Sequence, residues 1–269
     1  MNMNKNRNKF GFKIPVITPD NYVLGASAVP RVVLREDGNW NDFLPEAELQ
    51  NKRSLETYDC TGFATLNAIE TLQLYLFNEK VNYSDRWVGI IAGTTEGGND
   101  PHIVAEAIRK FGLIPEEMLP FSDDLATIDE YYSFKGADKE ACYRAGKEWL
   151  ERNDFKHEWV FLPEQSVEEK IKALKYTLKL SPLGISVLAW NRNSKGIYAG
   201  NGVPNHWTLE YAFPDNLQRI FDSYDPFKKL VEQSILFAKR YWIAKKPPVI
   251  LKPKTSSCFL KVFSNLLSG

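Results

Sequence analysis

The apolar and polar positions divide the chain into a helical first half and a strand-rich second half. Apolar residues recur every three or four positions from Cys60 to Phe77, and this spacing predicts a helix. The far end of this helix is apolar nearly all round, so we expect it to be central and buried. Asp59 or Thr57 is expected to cap its first turn.

Further helices are predicted on both sides of the middle of the chain. One begins near Ser84, and another runs from 101 to 110 with Gly112 as its C-terminal cap. A helix is also predicted over 139–151. A capping box opens an amphipathic helix over 166–180.

Strands are predicted mainly after Pro182, over 183–188, 206–213 and 218–224, where apolar residues alternate or run together. A short strand is also predicted at 32–34. This order of elements predicts an α+β fold, with a helical N-terminal lobe followed by a sheet-rich C-terminal lobe.

The composition is that of an ordinary globular protein, with 43% hydrophobic and 25% charged residues in a chain of 269. Basic and acidic residues both number 34, so no charge excess indicates nucleic acid or an anionic membrane as a partner. No apolar run reaches the roughly 18 residues of a membrane span. No apolar stretch follows the polar N-terminus, so no secretory signal is predicted and we expect a cytoplasmic location.

The three cysteines, Cys60, Cys142 and Cys258, are odd in number and widely spaced, so they predict no disulfide framework. No CxxC pair or His/Cys cluster offers ligands for a metal, and we expect neither a metal nor another cofactor. A reducing compartment is the simpler interpretation.

Cys60 stands where a polar loop turns into the first predicted helix, at the positive end of the helix dipole, which favours a thiolate. A catalytic thiol needs a base, and the base needs an orienting group. Of the three histidines, His102, His157 and His206, the last opens a strand after a Gly/Pro-rich loop. Asp222 follows 222 − 206 = 16 positions later, on the next strand. A hairpin of that length brings Asp222 beside His206, so we predict a Cys60–His206–Asp222 triad.

At these residues the sequence resembles the papain-like cysteine peptidases. The segment 60–64, Cys-Thr-Gly-Phe-Ala, resembles the nucleophile helix, His206 the base, and 222–224, Asp-Ser-Tyr, the Asn-Ser-Trp of that family. Weaker similarities follow in the same order: Tyr83-Ser84-Asp85, Gly97-Gly98, Leu119-Pro120-Phe121 and 181–187. Together they cover about residues 40–245.

The resemblance implies a papain-like α+β fold with its active site in the cleft between two lobes. The helical lobe is expected over about 40–125, and an antiparallel, barrel-like sheet lobe over about 126–245. Residues 1–39 are then an N-terminal arm, and residues 246–269 a C-terminal tail.

The same resemblance implies a cysteine peptidase that hydrolyses peptide bonds, with a glutamine as oxyanion donor. Ser54 occupies the nominal position of that glutamine, so the role passes to Gln50 on the assumption of a longer loop. The candidates for substrate-binding cleft walls are Gly97, Gly98, Asn205, Trp207 and Tyr224, of which the last three fit plain packing equally well.

Two departures from the family pattern affect the interpretation. Asp222 replaces an asparagine, which leaves the orienting role intact because a carboxylate also accepts the imidazole N–H. A long inhibitory propeptide is missing, so we expect activity without zymogen cleavage. In lacking disulfides and a propeptide, the chain resembles papain-like proteins from bacteriophages. This resemblance implies a cytoplasmic or virion-associated protein.

Two alternatives to a peptidase remain open. One is a non-catalytic or dual-role virion component, whose arms dock other assembly subunits. The other is a cell-wall amidase or acyl transferase with the same nucleophile. For the peptidase, the expected partner is a peptide or protein substrate.

Overall fold

The computed structural model describes residues 10–18, 21–24, 28–52 and 55–247, which form six α-helices and nine strands. The helices are α1 (Cys60–Phe77), α2 (Asp85–Ala92), α3 (Pro101–Phe111), α4 (Ile128–Tyr131), α5 (Lys139–Arg152) and α6 (Val167–Leu178). The strands are β1 (Asn51–Lys52), β2 (Leu55–Glu56), β3 (Asn153–Trp159), β4 (Leu183–Val187), β5 (Tyr198–Ala199), β6 (His206–Ala212), β7 (Gln218–Phe221), β8 (Lys228–Glu232) and β9 (Ala238–Lys245).

Helix α1 is the central element, as its apolar pattern predicts, and every residue from Cys60 to Gln73 is buried. It ends at Asn78, which adopts the left-handed conformation and returns its N–H to the last turn. The predicted side-chain cap is wrong. Asp59 occupies the N-cap position, and its carbonyl accepts the Phe63 N–H, but its side chain makes no capping hydrogen bond; the Thr57 hydroxyl has no partner among the described residues.

The neighbouring helices begin as their sequences indicate. Ser84 caps α2 by accepting the N–H of Trp87, and Asp100 caps α3 with Pro101 in its first turn. Both helices pack against α1 and against each other. The helical elements therefore cover one side of α1 and leave its other side to the sheet.

Seven strands form one sheet in the order β3-β9-β4-β6-β7-β8-β5. Every pairing is antiparallel except that of β5 with β8. In the described part of the chain the edge strands β3 and β5 do not pair with each other, so the sheet is open and not barrel-like. Helix α1 packs across β6, β4 and β9, which brings its N-terminus close to the start of β6.

Some expectations fail or fall outside the described residues. The stretch 32–34 forms no strand, and the Leu34 N–H donates instead to the Lys179 carbonyl after α6. The C-terminal tail from 248 onward lies outside the described residues, as do Cys258 and Ser54. Among the helices described, none combines the length and apolar character that crossing a bilayer requires.

Candidate active site

Cys60 is the first residue of α1 and is fully buried. It shares a buried cluster with Trp207, the second residue of β6, whose backbone N–H acts to lower the pKa of the thiol. The thiol therefore lies against the strand that begins with His206. A helix from the first half of the chain and a strand from the second half meet at this point.

His206 and Asp222 form the pair that their spacing predicts. His206 Nε2 lies 2.6 Å from Asp222 Oδ1, and both side chains are completely buried. Strands β6 and β7 are antiparallel neighbours, and Asp222 directly follows β7, so the hairpin returns the carboxylate to the start of β6. His206 Nδ1 is buried and has no hydrogen-bond partner among the described residues, which leaves this nitrogen available to take a proton.

Gln50 reaches the site although ten positions separate it from Cys60. Strands β1 and β2 form a small hairpin between Gln50 and Cys60, and this hairpin takes up the extra length of chain. The Gln50 side-chain oxygen accepts the Ser223 hydroxyl at 2.6 Å, and its Nε2 lies 2.7 Å from the Tyr224 hydroxyl. The amide is therefore held beside the residues that follow Asp222.

Glu56 is a site residue that the sequence pattern does not reveal. Its Oε1 accepts Gln50 Nε2 at 2.7 Å and the Tyr58 N–H at 3.0 Å, while its Oε2 accepts the Tyr224 hydroxyl at 2.6 Å. Tyr58 has a positive φ of 58°, which turns the chain sharply between Glu56 and Cys60. A carboxylate thus binds the Gln50 amide, which the sequence analysis expects to be the oxyanion donor.

Lys229 is the second residue that sequence reasoning missed. Its Nζ lies 2.5 Å from Asp222 Oδ2 and 2.6 Å from the Tyr224 carbonyl. The signal was present in the alternation of β8, where Lys229 and Val231 are buried and their neighbours are exposed. An inward-facing lysine on such a strand needs a buried anion, and Asp222 is that anion.

The protein's own residues 10–18, here called the N-terminal strap, lie across this site. The Phe10 ring meets the His206 ring edge-on, with 5.5 Å between centroids. The Phe10 carbonyl lies 3.3 Å from Gln50 Nε2, where it accepts an amide N–H. Phe12 is buried and stacks on Trp207. The strap therefore covers His206 and contacts Gln50, the candidate oxyanion donor.

The strap is held on its other side by the loop before α3. Asn99 donates its N–H to the Gly11 carbonyl and accepts the Lys13 N–H, each at 2.9 Å. Gly98 has φ +74°, and a Cβ added there would lie 1.8 Å from the Gly11 carbonyl oxygen. Of the two glycines predicted to form a cleft wall, Gly98 thus lies against the backbone of the strap. The hydrogen bonds to the strap come from the next residue, Asn99.

The remaining predicted wall residues take different roles. Trp207 contacts the strap, and Tyr224 contacts Gln50 and Glu56. The Asn205 side chain bonds both the N–H and the carbonyl of Ala189, so it fixes the loop after β4.

The covered site disfavours the thiolate. Burial raises the pKa of the Cys60 thiol well above its ordinary value, and the charges of Asp59, Asp222 and Glu56 raise it further. The backbone N–H of Trp207 opposes this only in part. Burial under the strap therefore works against the effect that the N-terminus of α1 was expected to have on the Cys60 thiol.

The sequence matches no family model and no curated protein. Solved structures do match. Xylellain, a cysteine protease from Xylella fastidiosa, superposes with a TM-score of 0.58 and 15% identity over 90% of this chain and 97% of that one. The bromelain protease from Ananas comosus, in complex with the E64 inhibitor, superposes with a TM-score of 0.51 and 13% identity. This match covers 76% of this chain and 96% of that one.

The ragweed pollen allergen Amb a 11, a cysteine protease solved in its proform, gives a TM-score of 0.54 and 14% identity. The match covers 83% of this chain and 69% of that one, and in a second structure of the same proform 64% of that one. At such identities the likeness concerns the fold. The chain has the fold of the papain-like cysteine proteases.

Proposed function

We propose that the protein is a cysteine peptidase whose cleft is covered by its own N-terminal strap. The carrying observation is that His206, oriented by Asp222 at 2.6 Å, begins the strand against which the Cys60 thiol lies. The fold neighbours are cysteine proteases, which supports the same chemistry.

In the proposed reaction His206 Nδ1 takes the proton of Cys60, and the thiolate attacks the carbonyl carbon of a peptide bond. The C–N bond then breaks as His206 returns the proton to the leaving amine. Water attacks the resulting thioester with His206 as the base, which releases the acid and restores the thiol. Asp222 accepts the Nε2–H throughout and so fixes the tautomer that leaves Nδ1 free.

Gln50 is the proposed oxyanion donor, together with the backbone N–H of Cys60. Its Nε2 lies 3.3 Å from the Phe10 carbonyl oxygen of the strap, and this contact with a peptide carbonyl supports the role. A donor of this kind acts on the charge that develops in the transition state.

The strap sets the condition for activity, because Phe10 and Phe12 occupy the space next to His206 and Trp207. A substrate enters only when the strap leaves. Solvent then reaches the site, and the burial that raises the pKa of the Cys60 thiol is relieved. The proform of Amb a 11 among the similar structures fits a protease stored in a covered state.

The test uses an E64-type epoxide on the full chain and on its Phe12→Ala variant, with the labelled residue identified by mass spectrometry. We expect slow labelling of the unaltered chain, fast labelling of the variant at Cys60, and casein hydrolysis by the variant. Cys142 is the other buried free cysteine in the described residues, so Cys142→Ser is the matched control for Cys60→Ser.

Loss of hydrolysis in Cys60→Ser but not in Cys142→Ser, both in the Phe12→Ala background, supports the peptidase. Labelling without casein hydrolysis, but with release of cell-wall fragments, assigns the nucleophile to an amidase. An uncovered but unlabelled Cys60 overturns the proposal in favour of a non-catalytic component.

A further inference from the structure

The buried pair of Lys229 and Asp222 lies directly behind the His206 ring. Lys229 projects inward from β8, and 1% of its side chain is exposed. Its Nζ binds the carboxylate oxygen that His206 does not use, at 2.5 Å, while His206 binds the other at 2.6 Å. Asp222 thus bridges the Lys229 ammonium and the His206 ring.

The surroundings of these three side chains are aromatic. Three aromatic rings enclose His206, with centroid distances of 5.2 Å for Trp190 and 5.5 Å for both Phe10 and Tyr224. The Lys229 ammonium also lies 4.7 Å from the centre of the Trp190 ring. Charges interact strongly in such an environment, so an unbalanced carboxylate next to His206 would have a large effect.

The charge balance affects both members of the nucleophile pair. An isolated Asp222 charge stabilises the imidazolium of His206, and it also raises the pKa of the Cys60 thiol. A neutral hydrogen-bond acceptor would orient the ring without either effect. An aspartate whose charge is cancelled by a lysine comes close to such an acceptor.

Stability alone is a weak reason for a pair of this kind. Replacing a buried ion pair with apolar residues of similar size is often neutral or stabilising. We propose that Lys229 is a positioning residue of the active site, which cancels the charge of Asp222 so that the carboxylate orients His206 without locking it in the imidazolium form. This role rests on the proposed function, since it concerns the proton that His206 exchanges with Cys60.

The proposal predicts opposite shifts for two single substitutions. In Lys229→Met the uncompensated carboxylate holds the proton on His206, and the midpoint of its titration rises by about one pH unit or more. In Asp222→Asn the uncompensated ammonium repels that proton, and the midpoint falls. In the double variant both charges are gone, and the midpoint returns to that of the unaltered chain.

The measurement is a pH titration of the full chain by NMR with labelled histidine. The chain has three histidines, and the signal of His206 is the one lost in His206→Gln. The other charged groups that act on Cys60, Tyr224 or Lys229 are Glu56, Asp59 and Asp225, and no variant in the series alters them. This readout does not need activity, so it separates the inference from the peptidase proposal.

Lys228→Met is the matched control, because Lys228 is the exposed neighbour on β8 and binds Asn41 instead of Asp222. It should leave the His206 midpoint unchanged. If Lys229→Met does not fold, the comparison of Asp222→Asn with the double variant still decides. A double variant that keeps the low midpoint of Asp222→Asn overturns the inference, and so do equal shifts in Lys229→Met and Lys228→Met.

Discussion

Phe12 lies parallel to Trp207, with 5.6 Å between the ring centroids and 9° between the ring planes. Phe12 is 1% exposed and Trp207 is completely buried, although Phe12 belongs to the polar N-terminal arm. Trp207 follows His206 directly, so this stack fixes the strap next to His206. The contact makes the strap part of the site and not a free end of the chain.

We expect Phe12→Ala to open the strap without unfolding the rest of the chain. Truncating a buried phenylalanine costs about 3–5 kcal/mol, and the strap is bound to its surroundings by few other buried groups. Hydrogen exchange of the Lys13 amide, which bonds the Asn99 carbonyl, should become much faster. Val16→Ala is the control, because Val16 is 78% exposed on the same strap. Equal exchange rates in the two variants would contradict the role of Phe12.

A pair of adjacent glycines offers a second way to release the strap. In Gly98→Ala the new Cβ would lie 1.8 Å from the Gly11 carbonyl oxygen, and the positive φ adds strain. In Gly97→Ala the nearest atom, in the Lys13 side chain, is 3.5 Å away. We expect limited proteolysis to cut the strap quickly in Gly98→Ala alone. Similar digestion of both variants would show that the position of the strap does not depend on the close contact between Gly98 and Gly11.

The oxyanion role of Gln50 predicts a change in kcat. In the Phe12→Ala background, Gln50→Ala should lower kcat for a peptide substrate by about a hundredfold or more and leave KM nearly unchanged. Gln165→Ala serves as control, since Gln165 caps a turn before α6 by accepting the Leu162 N–H. A loss of less than about threefold would remove Gln50 from the mechanism.

Lys239 on β9 predicts how stability depends on pH. Burial lowers the pKa of Lys239 from 10.5 to about 7, and its Nζ lies 3.8 Å from the centre of the Trp159 ring. Between these two values the unfolded chain binds a proton that the folded chain does not. The free energy of unfolding therefore rises with pH through this window, by up to about 1.4 kcal/mol per pH unit, and this contribution is constant below it.

Lys239→Met should lose that rise, because the substituted side chain does not titrate. Urea unfolding at pH 7, 8 and 9 measures the slope for each protein. Lys80→Met, which changes an exposed lysine, should keep the slope of the unaltered chain. Identical slopes in all three proteins would mean that Lys239 stays protonated in the fold.

The sequence by itself determined the local secondary structure and the order of the candidate site residues along the chain. Helix α1 follows from its apolar spacing, and α2, α3 and α6 begin at their capping residues. These signals are local, because a helix start depends on hydrogen bonds within one turn. The interval between His206 and Asp222 was also sufficient to predict that the two side chains meet, because antiparallel neighbouring strands bring such positions together.

Strands β3 and β8 were not predicted, because charged residues stand at every second position of β3 and at three of the five positions of β8, and each forms only by pairing with another strand. The same reason hid Lys229 and Glu56, whose partners lie on other elements. The polar N-terminus indicated a free arm, and only the tertiary structure placed Phe10 and Phe12 in the cleft. A single aromatic side chain finds its pocket through surface that distant parts of the chain build together, and local sequence carries no record of that surface.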